Sequence, residues 1–187
     1  KVEINTINIQ NQAIRIKAVV FHLEGTLIEP PKQDATSTKA PKPASDAETV
    51  LGYLRSKDIR LAIVSHGSLK SVQKMLANLS NISVSDFDPV ISREGLQVPS
   101  PDINAVALAL KKMELTAHHV MVVAAEPAIL KDAQRAGALT VFFDPSALTE
   151  KIRVGTDFHI SQLSELKTIV RQGIPLPPGK LPNDLLR

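Results

Sequence analysis

The chain has 187 residues, enough for one domain with a sizeable core, or one domain plus tails. Its 43% apolar and 22% charged residues are ordinary for a globular protein, and the absence of cysteine excludes disulfides, thiolate metal sites and a cysteine nucleophile. The 22 Lys and Arg against 19 Asp and Glu are scattered, with Lys111-Lys112 the densest basic spot, so composition points to no nucleic-acid partner. Aromatics at 3% offer no stacking platform for bases or sugars. No apolar run reaches the roughly 18 residues of a membrane span, and no leader is visible, so the expectation is a cytoplasmic protein without a membrane partner. The chain opens at Lys1 rather than Met, as a piece of a longer protein would.

In chain order, residues 1–15 form an N-terminal extension in which Val2, Ile4, Ile7 and Ile9 alternate as in an edge strand. Ile16–Leu23 is an almost unbroken apolar run, the pattern of a strand buried on both faces. Residues 30–45, rich in Pro and small polar residues, read as a mobile loop. Ser45 to Glu48 has the spacing of a capping box, opening a helix from Asp46 to about Lys57. Arg60–Ser65 reads as a second buried strand, and Ser68 as the cap of a helix with Val72, Met75, Leu76 and Leu79 inward. Pro89–Ile91 is a short strand. Ser100-Pro101-Asp102 has the residue types of a helix start, running to about Leu115. His119–Ala124 is a third buried strand, Pro127–Ala136 a helix closed by Gly137, and Leu139–Phe143 a fourth strand. Phe158–Ile160 and a helix from Ser161 to about Arg171 complete the domain, 16–171. Residues 172–187 are a Pro-rich tail or a linker to a fused domain.

Strands alternating with helices predict an α/β fold with a mostly parallel sheet covered on both faces. In such sheets ligands sit beyond the carboxyl ends of the strands, where the strand order reverses. The places to search are therefore His22–Thr26, Ser65–Ser68, the turn after Gln97, and Ala124–Pro127.

These four places resemble, in order and spacing, the motifs of the haloacid dehalogenase superfamily. AVVFHLEGTLIEP is similar to a first motif of hydrophobic residues followed by DxDGTL, and LAIVSHGS to a second motif that ends a strand in Ser or Thr. LQVPSPDINAVALALKKMEL is similar to the third, KPxPxxF before a helix, and HVMVVAAEPAILKDAQRAGALTVFF to the fourth, VGDxxxD before a helix ending in AG. The resemblance spans about Lys17 to Arg171 and implies a Rossmann-like three-layer α/β sandwich. It also implies phosphoryl chemistry through an aspartyl phosphate, with Mg²⁺ as cofactor.

The residues at the motif positions depart from that chemistry. By the resemblance, His22 stands where the nucleophilic Asp belongs, and Glu24 where the general acid–base Asp belongs. Val98 stands for the charge-balancing Lys, and Ala125 and Ile129 for the metal-binding acids. Ser65, the phosphate-binding hydroxyl, and the Gly25-Thr26 turn remain. Mg²⁺ favours hard oxygen ligands, so this pattern implies a lost Mg²⁺ site and no confident catalytic residue. Phosphoryl transfer depends on positioning and electrostatic stabilisation, so these replacements together imply impaired catalysis. Only 43 residues separate His22 from Ser65, and 33 separate Ser65 from Val98, which leaves no room for a sizeable cap domain.

Three uses of such a site stay open. One is a binding, regulatory or structural module beside a protein partner or fused domain. The second is an atypical hydrolase using His22, Glu24 and His66, with a transition metal that Glu126 helps to hold. The third is a weak anion sensor built on Ser65, Gly25, Thr26, His66 and Glu126. The residues favour the first, in which His22 replaces an unneeded Asp and hydrogen-bonds nearby, and no cofactor is expected. His118 and His119 should lie exposed at the opposite end of the sheet, and Glu94 at the rim of the site.

Overall fold

The computed structural model describes residues 13–29, 42–96, 104–145 and 155–175. Six strands form one sheet: β2 (Ala18–His22), β3 (Arg60–Val64), β4 (Val90–Ile91), β5 (Val120–Ala124), β6 (Leu139–Phe143) and β7 (Phe158–Ile160). Their order is β4-β3-β2-β5-β6-β7, and every pairing is parallel. A separate two-stranded antiparallel pair joins β1 (Ala13–Ile14) to β8 (Ile174–Pro175). Five helices accompany the strands: α1 (Ala47–Ser56), α2 (Leu69–Leu76), α3 (Ala105–Met113), α4 (Pro127–Ala136) and α5 (Glu165–Gln172).

Side-chain alternation along β2 explains the layers. Val19 and Phe21 face a core completed by Val50, Leu51 and Leu54 of α1, Val72 and Leu76 of α2, and Leu166 of α5. Ala18 and Val20 face a second core completed by Val106 and Ala109 of α3 and Leu130 and Ala133 of α4. The sheet is therefore the middle layer of a three-layer α/β sandwich, and the apolar runs of β2 and β5 follow from burial on both faces.

The chain walks outward from β2 to β3 to β4, then crosses to β5 on the other side of β2 and continues outward to β6 and β7. The reversal falls between β2 and β5, so the place where such folds bind ligands lies beyond the carboxyl ends of His22 and Ala124. Among the described residues no helix is long and apolar enough to cross a bilayer.

Several local expectations give way to tertiary contacts. The capping box at Ser45–Glu48 does not form: Asp46 is the cap residue, in left-handed backbone with φ 63° and no side-chain cap bond. Neighbouring segments recruit the two acids instead, Asp46 accepting from Ser164 N at 3.0 Å and Glu48 from Ser80 N at 2.5 Å. The cap of α3 is Asn104, whose side chain accepts from Ala107 N at 2.8 Å, and the helix stops at Met113 because Glu114 turns left-handed. The sequence at 100–102, read as that helix start, lies outside the described residues. Helix α5 begins at Glu165 rather than Ser161, because the Glu165 carboxylate accepts from Ser161 N and Gln162 N and holds the approach as a turn.

Of the loop expected over 30–45, residues 30–41 lie outside the described residues. Residues 42–44 are paired, not loose: Glu29 N donates to Lys42 O at 2.9 Å, Ala44 N to Leu27 O at 2.8 Å, and Ile28 bridges Pro43 antiparallel. Residues 27–29 and 42–44 are thus tied to each other directly after β2. The extension 1–12 and the tail 176–187 also lie outside the described residues.

Helix α4 gives a stability test with two magnitudes. Leu130 is fully buried, and Leu130→Ala should cost about 2–5 kcal/mol through lost transfer energy and a cavity. Gly137 ends the helix at φ 83°, and a Cβ there would make only an ordinary contact with Ala117 Cβ at 3.7 Å, so Gly137→Ala should cost only about 1–2 kcal/mol of backbone strain. Urea denaturation midpoints of the two variants should fall in that order.

Candidate functional site

The site begins where β2 runs out of partners. His22 is its last residue, 2% exposed, and Leu23 N donates to Val64 O, so the chain stays tied to β3 for one more step. A tight turn follows. Gly25 adopts φ 85°, a conformation that glycine takes without the penalty other residues carry. A Cβ there would also meet Ala125 Cβ at 3.3 Å, so the β2 and β5 turns pack directly on each other. Gly25 N donates to Ile28 O, Thr26 N to Leu23 O, and the buried Thr26 hydroxyl to His22 O.

That turn aims Glu24 across to β3. One Glu24 oxygen accepts from the Ser65 hydroxyl, and Ser65 Oγ in turn accepts from Gly67 N at 3.0 Å. The other, Oε2, stands 3.5 Å from His22 Nε2 with no hydrogen-bond partner. His66, in the turn after β3, meets His22 edge-on with ring centroids 5.0 Å apart. Glu126, the residue before α4, places Oε2 at 3.3 Å from His66 Nε2 and 3.9 Å from His22 Nε2. The three strand ends β2, β3 and β5 thus bring together two imidazoles and two carboxylates.

Burial holds the His22 pKa below the ordinary histidine range, with the neighbouring Glu24 carboxylate opposing the shift and His66 reinforcing it. Neither ring nitrogen of His22 has a hydrogen-bond partner in the structure. Its nearest carboxylate neighbour is Glu24 Oε2 at 3.5 Å.

The other expected site residues divide cleanly. Ser65, His66, Glu24 and Glu126 converge on His22. Gly25 and Thr26 spend their amides and the Thr26 hydroxyl inside the turn, so they shape the site without offering donors to a ligand. Ile129 is 4% exposed and packs in the core with the α3 and α4 residues. Ala125 is held against the Gly25 turn. Val98 lies outside the described residues. At the positions where the resemblance places a Mg²⁺ site, the donors are one imidazole and two hydrocarbon side chains. They do not fit the oxygen-rich octahedral set that Mg²⁺ favours.

Glu94, expected at the rim, is a structural clamp: it accepts from Leu69 N at 3.0 Å and from Ser92 Oγ at 2.9 Å, tying the turn after β4 to the start of α2. These hydrogen bonds, with one to its own backbone as the largest influence, lower its pKa. His118 and His119 do lie at the amino end of β5, but they are half-buried rather than exposed. Their rings are 4.4 Å apart, and His119 Nδ1 is 2.8 Å from Arg15 O. The sequence reading missed the Glu24–Ser65 hydrogen bond, which a two-strand register could have suggested, since His22 pairs with Val64.

The same framework recurs in solved structures. CbbY from Rhodobacter sphaeroides in complex with phosphate aligns with a TM-score of 0.65 at 14% identity, over 81% of this chain and 96% of that one. The L-2-haloacid dehalogenase from Xanthobacter autotrophicus gives 0.64 at 18% identity, over 83% and 98%. The HAD phosphatase from Thermococcus onnurineus gives 0.67 at 15%, over 84% and 99%. At such identities the likeness speaks for the fold. No curated protein matches the chain. A family model described as haloacid dehalogenase-like hydrolase matches residues 6–143, most of the chain. The chain therefore belongs to the haloacid dehalogenase-like hydrolase family.

Proposed function

We propose that this member has given up the family's aspartyl-phosphate chemistry. It acts as a binding module, with a regulatory or structural role beside a protein partner or fused domain. The Mg²⁺ site and the large cap are both absent on this reading, and the protein works in the cytoplasm without nucleic acid. The observation that carries the reading is the charge of the cleft. Glu24 and Glu126 put two carboxylates beside the buried His22, and among the described residues no Lys or Arg pairs with either. A phosphoryl group entering there would meet negative charge where phosphoryl transfer needs compensation. One missing preorganised donor alone is worth about 10²–10³ in rate.

The anion-sensor reading is weakened by the same geometry. The Ser65 hydroxyl already donates to Glu24, and the Gly25 and Thr26 amides are bonded within their turn. An atypical hydrolase built on His22, Glu24 and His66 has one observation in its favour, the 5.0 Å approach of the two imidazole rings.

An aryl phosphate assay separates these readings. With Mg²⁺, Mn²⁺ or Zn²⁺, the chain should show no turnover above the metal-only blank. His22→Asp should be equally inactive, since Ala125 and Ile129 remain. Metal-dependent turnover that disappears in His22→Ala would overturn the proposal. A second measurement checks the placement of Ile129 in the core. Ile129→Asp should destabilise the fold by roughly 3–5 kcal/mol in urea denaturation, through lost apolar burial and a desolvated carboxyl group. An unchanged midpoint would mean that position 129 faces the cleft instead.

A further inference from the structure

We propose that the cleft at the ends of β2, β3 and β5 binds a borderline divalent transition-metal ion, with Zn²⁺ as the type, held by His22, His66 and Glu126. The proposal names the ligand of the site described above and rests on the reading of that site as a binding module.

The geometry is already close to a coordination sphere. One donor atom from each of His22, His66 and Glu126 lies within 4.8 Å of the others. The His66 Nε2 to Glu126 Oε2 distance is 3.3 Å, and the His22 Nε2 to Glu126 Oε2 distance is 3.9 Å. Bonds of about 2.0–2.1 Å in a tetrahedron put neighbouring donors about 3.3–3.4 Å apart. The His66–Glu126 pair already has that spacing, the His22–Glu126 pair closes to it by about half an ångström, and the two imidazole donors, within 4.8 Å of each other, close by up to about 1.4 Å to complete three corners.

The second observation is His22 itself. It is 98% buried, aimed at this cluster, and both of its ring nitrogens lack a hydrogen-bond partner. Glu24 Oε2, beside it at 3.5 Å, is unpartnered as well. Buried polar atoms in folded proteins are almost always satisfied, so an orphaned imidazole next to an orphaned carboxylate oxygen calls for a ligand that accepts electron pairs. A cation draws on lone pairs of both the imidazole and the carboxylate, whereas an anion could accept only from the imidazole N–H and would be repelled by Glu24.

The surroundings are those of a held site. Ser65 fixes one oxygen of Glu24, Gly67 N fixes Ser65 at the turn that carries His66, and Thr26 fixes the backbone of His22. Such outer contacts orient ligands and sharpen affinity. Two imidazoles and a carboxylate select zinc, cobalt, nickel or copper over Mg²⁺ and Ca²⁺, which prefer oxygen alone. Access is open, because the His66 and Glu126 side chains are 60% and 45% exposed.

The test is equilibrium dialysis of the full chain against Zn²⁺ alone, read by elemental analysis, with Co²⁺ visible absorption reporting coordination geometry. One ion per chain is expected, undisturbed by millimolar Mg²⁺. His66→Ala and Glu126→Gln, both at exposed side chains, should each weaken binding at least about tenfold, the smallest loss that even an outer-shell change usually produces. A His118→Ala/His119→Ala double variant at the far end of the sheet should bind as well as the parent chain. Absence of stoichiometric binding, equal binding by the His66 and Glu126 variants, or loss confined to the His118/His119 variant would each overturn the proposal. Aryl phosphate turnover by the zinc-loaded protein would instead overturn the noncatalytic reading and leave the metal site standing.

Discussion

Strand β2 is the constraint on which the rest of the molecule hangs. It pairs with β3 on one edge and β5 on the other, and helices cover both of its faces. From Ala18 to Phe21 every side chain is apolar and fully buried. An unpaired polar group in that stretch would carry the full desolvation penalty. Polar chemistry can begin only where the strand ends, at His22, and that end coincides with the reversal of strand order. The cleft is thus placed by packing before any functional residue is chosen.

What fills the cleft follows from a short chain of hydrogen bonds. Gly25 makes the turn possible, the turn delivers Glu24 to Ser65, and Ser65 is held by the amide of Gly67. The same turn packs Gly25 on Ala125, which brings Glu126 alongside the β2 end. Each link consumes a donor that an anion would have used, while the acceptors accumulate. The result is a cleft with an excess of lone pairs. On electrostatic grounds that excess favours a cation and disfavours a phosphate, whatever other members of the family do with the same scaffold.

Much of this was legible in the residues. The apolar runs of β2, β3, β5 and β6 are long enough, and the caps at Ser68 and Gly137 clear enough, to fix the layer order. The motif spacing placed His22, Glu24, Ser65, His66 and Glu126 at neighbouring strand ends. The failures share a cause. Ser45–Glu48 has the spacing of a capping box, but backbone amides of segments 30 or more residues away claim the acids at 46 and 48. Likewise the bond of Glu94 to the amide of Leu69, 25 residues away, is not visible in the local pattern. Local pattern cannot weigh a distant donor. Nor could it show that His22 would be buried with both nitrogens unspent, since that depends on which way Ser65 donates.

The likeness to structures only 14–18% identical has the same physical root. The sheet and its two cores depend on alternating apolar positions, and the acids of a catalytic site add nothing to them. Functional carboxylates are usually held at some expense of stability, and replacing one with a residue that packs relieves it. Ile129 is the plain case. Where the resemblance asks for a metal-binding acid, the chain has a buried side chain that joins the α3–α4 core. A site relaxed in this way would be expected to lose its polar residues altogether. Instead the orphaned His22, the directed Glu24 and the converging His66 and Glu126 remain, and they are costly to keep together without a ligand. That these groups converge beside a buried Ile129 is the arrangement on which the proposed exchange of phosphoryl chemistry for cation binding rests.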